Sequence, residues 1–348
     1  MKREKEYFRG CLVGGAVGDA LGWPVEFLKM EEIVQRYGSG GISEPELGPS
    51  GKAEITDDTQ MTLFTAEGLL RAQSRYSERG ICNPVMVVFH AYQRWLLTQG
   101  FPRRERYEWI YDGPLLDVEE LHVRRAPGNT CLAALSSGEE GSMARPINNS
   151  KGCGGVMRVA PVGLLCLKER AFEMGAEIAA LTHGHPSGYL SAGALAYLVR
   201  VIIDGAELGA ALDETLTVLA GFEGHEETTA SLSKAATLSR SALSDREAIA
   251  HLGEGWIGEE ALGIAIYCAL KYRDDFRKGL IAAVNHDGDS DSTGAIAGNI
   301  LGAYLGLGAI PGAWVENIEL KELLIEVADD LFINYQESPE WWARYPGY

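Results

Sequence analysis

Four glycines spaced four apart, Gly10, Gly14, Gly18 and Gly22, are matched near the other end of the chain by Gly294, Gly298, Gly302 and Gly306. Glycine inside a helix costs roughly 1 kcal/mol relative to alanine, so two such stripes need a compensating gain. A four-residue period keeps the small residues on one helix face, and such faces let two backbones come close together. The stripes therefore predict that a helix beginning near Gly10 crosses one beginning near Gly294 at short range. A competing reading is a set of glycine-rich loops, because glycine clusters also mark turns. The excess is general: 42 of 348 residues are glycine, about 12% against a usual 7% or so.

The remaining pattern is helical. Met61, Leu63, Phe64, Ala66, Leu69 and Leu70 fall on one helix face behind the start signal Thr56-Asp57-Asp58. Further helices are expected over Val85–Thr98, Ala171–Leu181, Ser191–Asp204, Ala206–Ala220, Glu259–Tyr272 and Glu319–Phe332, although Val85–Phe89 alone would also suit a strand. Segments 100–127 and 222–230 read as long connections. Neither has a linker's Ser/Pro/Gly bias, so residues 1–348 are expected to form one all-α domain. The stretch Gly294–Val315 has 22 residues without a charge, but its six glycines, Asn299 and Pro311 favour a tightly packed core helix over a membrane span.

With 31 Lys plus Arg against 49 Asp plus Glu, the formal net charge is −18. That argues against a nucleic-acid groove, which needs a basic stripe. The six cysteines show no CxxC pair and no suitably spaced histidine, so zinc ribbons and thioredoxin-type chemistry are not expected. The apolar run after MKREKEYFRG is interrupted by Asp19, which does not suit a signal peptide. A cytoplasmic protein with reduced thiols, away from membranes, is the expectation.

Two acidic segments stand at loop-to-helix junctions: Thr56-Asp57-Asp58-Thr59, and His286 to Thr293 with Asp287, Asp289 and Asp291. Helix capping would account for one aspartate. Five in two segments exceed that need, and adjacent carboxylates repel unless cations lie between them. The donors are all oxygens, which suit Mg²⁺, Mn²⁺ or Ca²⁺ better than Zn²⁺. Asp289 and Asp291, two apart, can point the same way, which suits two ions close together with Asp291 as a bridge.

The segments GCLVGGAVGDALGWPVEF (10–27), ITDDTQMTLFTAEGLL (55–70), RAPGNTCLAAL (125–135) and NNSKGCGGVMRVAPVGLL (148–165) resemble the ADP-ribosylglycohydrolase family. So do ALTHGHPSGYLSAGALA (180–196), GEGWIGEEALGIAIYCAL (253–270) and NHDGDSDSTGAIAGNILGAYLG (285–306). Each match is weak alone, but seven in order over residues 10–306 are specific. The resemblance implies a compact, single-domain orthogonal helical bundle with two divalent cations, usually Mg²⁺ or Mn²⁺, at the base of an ADP-ribose cleft. It implies Thr56, Asp57, Asp58, Asp289, Asp291 and Ser292 as metal ligands, with Ser292 standing where the family more often has threonine. Glu26 matches an acidic residue near the scissile ribose, and His183 a histidine beside the cleft. Asp19 is expected to tie the first helix to neighbouring loops.

The run Ser150, Lys151, Gly152, Cys153, Gly154 and Gly155 resembles the family's phosphate loop, where small residues let backbone N–H groups reach an anion. Cys153 replaces an asparagine found in the serine-linked human hydrolase, which favours backbone over side-chain contacts there. Besides the metals, Lys151 and Arg158 are candidates to offset a diphosphate's charge, although Arg158 suits equally a buried arginine paired with an acid. For Trp256 and Tyr304, core packing is favoured over an adenine-side role. The implied activity is hydrolysis of ADP-ribose from a modified protein side chain, arginine first, releasing ADP-ribose. It would reverse the work of an ADP-ribosylating enzyme or toxin, in regulation or as an antitoxin. The alternatives are a non-catalytic ADP-ribose-binding or structural relative, and a hydrolase of a free ADP-ribose metabolite.

Overall fold

The Lys5–Gly22 helix and the Ser290–Leu305 helix lie antiparallel, backbone against backbone. Gly10 faces Gly302, Gly14 faces Gly298, Gly18 faces Gly294, and Gly22 faces Ser290. A Cβ at any of these seven glycines would stand 1.9–2.5 Å from a facing carbonyl oxygen, inside hard contact. The stripes are therefore helix faces and not loops. Gly306 departs from the pattern: it ends the second helix at φ +87°, a left-handed conformation that glycine tolerates.

The computed structural model describes residues 2–347, which form seventeen α-helices and several short 3₁₀ turns in one compact all-α domain. No strand occurs among the described residues; Ala53 with Ile318 and Gly152 with Ile257 make isolated bridges. At the centre the Pro186–Ile203 helix packs against the Lys168–Ala180, Ala160–Leu165 and Gly258–Lys271 helices. Pro186–Ile203 is long and apolar enough to cross a membrane, yet 89% of it is buried inside the protein.

Several expected boundaries shift for local reasons. Helix starts fall at Asp57 and Ser290 because Thr56 and Asp289 themselves cap, each accepting a backbone N–H with its side chain. The uncharged 294–315 run is not one helix: after Leu305 come a 3₁₀ turn, Leu307–Ala309, and a separate helix, Gly312–Asn317. Val85–Phe89 lies inside the Pro84–Thr98 helix, which Asn83 caps. The 222–230 connection contains the start of a helix, Glu226–Leu238, which buries only Thr228, Leu232 and Ala235 and so carries little periodic signal. Segment 100–127 is irregular, with 3₁₀ turns at Glu105–Ile110, Pro114–Asp117 and Glu119–His122.

Candidate active site

The glycine register decides where the site forms. Gly22, the last residue of its helix, meets the Ser290 carbonyl at the first residue of the other. One turn beyond, Glu26 donates its N–H to the Gly22 carbonyl. Glu26 is thereby held beside Asp289 and Asp291, which flank Ser290. Carboxylate oxygens of Glu26, Asp289 and Asp291 all lie within 4.8 Å of one another. The start of the Asp57–Arg79 helix reaches the same place, because Asp19 accepts hydrogen bonds from the N–H and hydroxyl of both Thr56 and Thr59. Asp19 is thus a tie between helices, as expected. Ser292 Oγ spans the two acidic segments, donating to Asp58 Oδ1 at 3.4 Å. Two helix N-termini, each the positive end of a dipole, face the carboxylates.

Even so, the cluster holds more negative charge than its surroundings offset. Burial raises the Asp57, Asp58 and Asp291 carboxyls well above the ordinary range, and their mutual repulsion adds to it. Glu26 is pushed up to about 11 by burial and then by Asp291 and Asp289. Burial raises Asp289 as well, and lifts Asp19 to about 7 against its four hydrogen bonds. Glu26 Oε2 and Asp58 Oδ2 are buried oxygens without a partner among the described residues. An all-oxygen donor set with unpartnered carboxylate oxygens fits divalent cations, which remove both the repulsion and the unmet acceptors.

Above this floor lies a cleft of about 300 Å³, near the lower end of small-molecule sites. One wall is Ala126–Cys131, whose Gly128 N–H donates to Asp57 Oδ2 at 3.1 Å. The buried Arg125–Glu319 ion pair and the Arg125 bond to the Ile55 carbonyl anchor that wall. A second, adjoining wall is Gly152, Cys153 and Gly154 with His183 behind them. A Cβ on Gly154 would stand 2.9 Å from Cys131 Sγ and 3.1 Å from the His183 ring, so close packing requires glycine. Burial lowers the His183 imidazole to about 3, leaving it neutral.

Four expectations need correction. Lys151 already pairs with Glu227 and Glu259 at 2.9 and 2.8 Å, so its charge is offset before any diphosphate arrives. Arg158 is fully buried, without an acid partner among the described residues. It lies over the Tyr92 ring and donates to Thr182 Oγ1, the Ile178 carbonyl and Cys131 Sγ. Cys153 makes a side-chain contact, donating its thiol to Asp289 Oδ2 at 2.7 Å, while its N–H goes to the Trp256 carbonyl. Trp256 is not core but 36% exposed at the cleft mouth, stacked on the 62%-exposed Phe27 at 5.3 Å and 23°. Tyr304 is packed away from the cleft, bonded to Glu207.

The fold thus brings Glu26, Asp57, Asp58, Asp289, Asp291, Ser292, Gly152, Cys153, Gly154 and His183 around one cavity. Thr56 lies beneath it, its hydroxyl bonded to Asp19, and Ser150, Lys151 and Gly155 stand outside its lining. Phe27 and the Gly128 N–H have no sequence-derived expectation. A large aromatic directly after Glu26 was one available sign, but the left-handed φ of +67° that exposes Phe27 leaves no trace in sequence.

The model of the ADP-ribosylglycohydrolase family matches residues 2–340. The chain belongs to that family. It is 31% identical to an uncharacterized protein of Archaeoglobus fulgidus, over 94% of this chain and 96% of the other. It is 27% identical to the ADP-ribosyl-[dinitrogen reductase] glycohydrolase of Rhodospirillum rubrum, covering 90% of each. Identity to the mouse ADP-ribosylhydrolase ARH3 is 25%, over 95% and 92%. Among solved structures, an ADP-ribosylglycohydrolase-related protein complex superposes with a TM-score of 0.64 at 25% identity, covering 97% of this chain and all of the other. The family is hydrolytic.

Proposed function

We propose that this chain hydrolyses the glycosidic bond joining ADP-ribose to a protein side chain, arginine foremost, at a binuclear divalent-cation centre. The observation that carries this reading is the set of Glu26, Asp289 and Asp291 carboxylates within 4.8 Å of one another, with Glu26 Oε2 and Asp58 Oδ2 unpartnered. Asp57, Asp58, Asp289 and Asp291, with Thr56 and Ser292, would hold two cations, Mg²⁺ or Mn²⁺. Bound there, such ions supply Lewis-acid polarisation of a water and of ribose hydroxyls. Glu26 then acts as the acid/base, taking a proton from the attacking water and returning one to the departing side chain as the ribose passes through an oxocarbenium-like state. The Gly154 N–H, at the start of a 3₁₀ turn and so without an intrahelical partner, and the neutral His183 ring border the phosphates' place. Ser150, Gly152 and Gly155 shape that loop, while Lys151 braces it through its two glutamates.

Arginine is favoured by the mouth. Stacked, exposed Phe27 and Trp256 suit a planar cation, and Glu254, itself paired with Lys29 at 2.8 Å, braces the Trp256 indole at 3.2 Å. One 23%-identical relative, the ADP-ribosylarginine hydrolase Tri1 of Serratia proteamaculans, carries arginine in its name and supports this reading. The reading extends to a cytoplasmic protein that undoes the work of an ADP-ribosylating enzyme or toxin. The test follows free ADP-ribose from arginine- and serine-linked substrates side by side with Mg²⁺. Much faster release from arginine is expected. Serine preference overturns the acceptor assignment, and tight ADP-ribose binding without release from either substrate favours a non-catalytic binder.

A further inference from the structure

We propose that the cation centre of this chain includes a thiol ligand: Cys153, with Asp289, Asp58 and Ser292, forms a seat for a thiophilic dication such as Zn²⁺, Cd²⁺ or Co²⁺. The inference rests on the reading of the carboxylates as cation ligands and adds a sulfur to them. Cys153 Sγ lies 2.7 Å from Asp289 Oδ2 and 3.7 Å from Ser292 Oγ. Ser292 Oγ in turn donates to Asp58 Oδ1. The second oxygen of Asp58, a side chain only 2% exposed, is buried on the same cleft floor with no partner. One sulfur and three oxygen-bearing side chains from three separate segments thus converge around an unmet acceptor.

The thiol is held there by backbone. Cys153 N–H bonds the Trp256 carbonyl, and Gly152 pairs with Ile257 in an isolated bridge, which turns the side chain toward the carboxylates. Soft thiolate donors select Zn²⁺ and its neighbours over Mg²⁺, whereas carboxylate and hydroxyl oxygens do the reverse. A centre containing both can load either class. Loading the thiophilic ion replaces the S–H bond with a metal–sulfur bond, and the proton leaves to buffer. No electron is transferred. A thiophilic ion seated this way competes with the hard cations for Asp289 and Asp58, so zinc would occupy the centre without serving it.

The experiment is a titration of EDTA-stripped full-length protein with Cd²⁺ and with Co²⁺, reading the sulfur-to-metal charge-transfer absorption. Calorimetric binding of Mn²⁺ is measured on the same samples. Wild type is expected to show a charge-transfer band saturating at one ion per chain, and Cd²⁺ should displace bound Mn²⁺. In Cys153→Ser the band should vanish and Cd²⁺ affinity fall by more than about 100-fold, beyond the loss caused by removing an outer-shell partner. Cys82→Ser and Cys166→Ser, at the half-buried cysteines away from the cleft, should keep the band. If Cys153→Ser does not fold, Asp289→Asn serves instead and should weaken Cd²⁺ binding in step with the band. A wild-type protein that binds Mn²⁺ but gives no band, or a band that survives Cys153→Ser, overturns the thiol ligand. Failure of Mn²⁺ to bind wild type strikes the carboxylate reading and leaves the thiol's result to be read separately.

Discussion

The floor and the mouth of the cleft are built on different principles. The floor rests on a backbone-to-backbone approach, Gly22 on Ser290, and on the buried Asp19 carboxylate that takes the N–H groups and hydroxyls of Thr56 and Thr59. The mouth is side chain against side chain: Phe27 and Trp256 are exposed and stack ring on ring, with Phe27 on left-handed backbone. Reactive groups whose positions must hold to a fraction of an ångström sit on the rigid part. Under the proposed function, the contrast divides chemistry at the floor from acceptor choice at the mouth.

Substitutions separate the two. Asp291→Ala should abolish both cation binding and turnover, because its neighbours lose a shared ion and are left as unpaired acids; calorimetry with Mn²⁺ beside an ADP-ribose release assay reads both. Glu26→Gln keeps the shape and deletes only proton transfer. It should retain Mn²⁺ and ADP-ribose binding while turnover falls roughly 10²–10⁴-fold. Normal turnover would make Glu26 a bystander. Gly298→Leu forces side-chain volume into a gap where even a Cβ would lie 2.0 Å from the Gly14 carbonyl. A loss of about 3 kcal/mol or more is expected, and an unchanged melting temperature would show that the floor does not depend on this contact.

Phe27→Ala addresses the mouth alone. KM for the arginine-linked substrate should rise roughly fivefold, the worth of an exposed cation–π contact of about 1 kcal/mol, with cation binding and the serine-linked rate unchanged. Equal effects on both substrates would remove the mouth from acceptor choice. The smallest effect lies away from the cleft, where Asp329 joins Arg9 and Lys5 of the glycine-striped helix. The Arg9 hydrogen bonds hold the Asp329 carboxyl below its usual range, so its stabilisation is present above the unfolded value near pH 4 and is lost as pH falls through the folded one. Asp329→Asn should lower stability at pH 7 by no more than about 1 kcal/mol. The difference should close as pH falls below about 4 in parallel melts.

Much of the floor was legible because its signals are local or periodic. A four-residue glycine spacing has one economical geometry, and acidic residues at helix starts announce both a cap and a surplus. Asp19 was readable as a tie because a lone acid in an apolar, glycine-rich helix needs a partner. What sequence did not carry was pairing at long range. Lys151 looked free because Glu227 and Glu259 are 76 and 108 residues away. Arg158 suited either a diphosphate or a buried pairing with an acid, but thiol, hydroxyl, carbonyl and ring contacts hold it instead, and its Nε has no partner among the described residues. Cys153 pointed to backbone rather than side-chain contacts, and its N–H bond to the Trp256 carbonyl accompanies a thiol turned toward the carboxylates.

The central claim is that the acidic floor works only with divalent cations bound. Protein stripped with EDTA and supplied with arginine-linked substrate should release no ADP-ribose. Mg²⁺ or Mn²⁺ titrated back should restore release, saturating with the calorimetric binding curve, while Zn²⁺ should not. Full turnover in metal-free buffer would contradict the account.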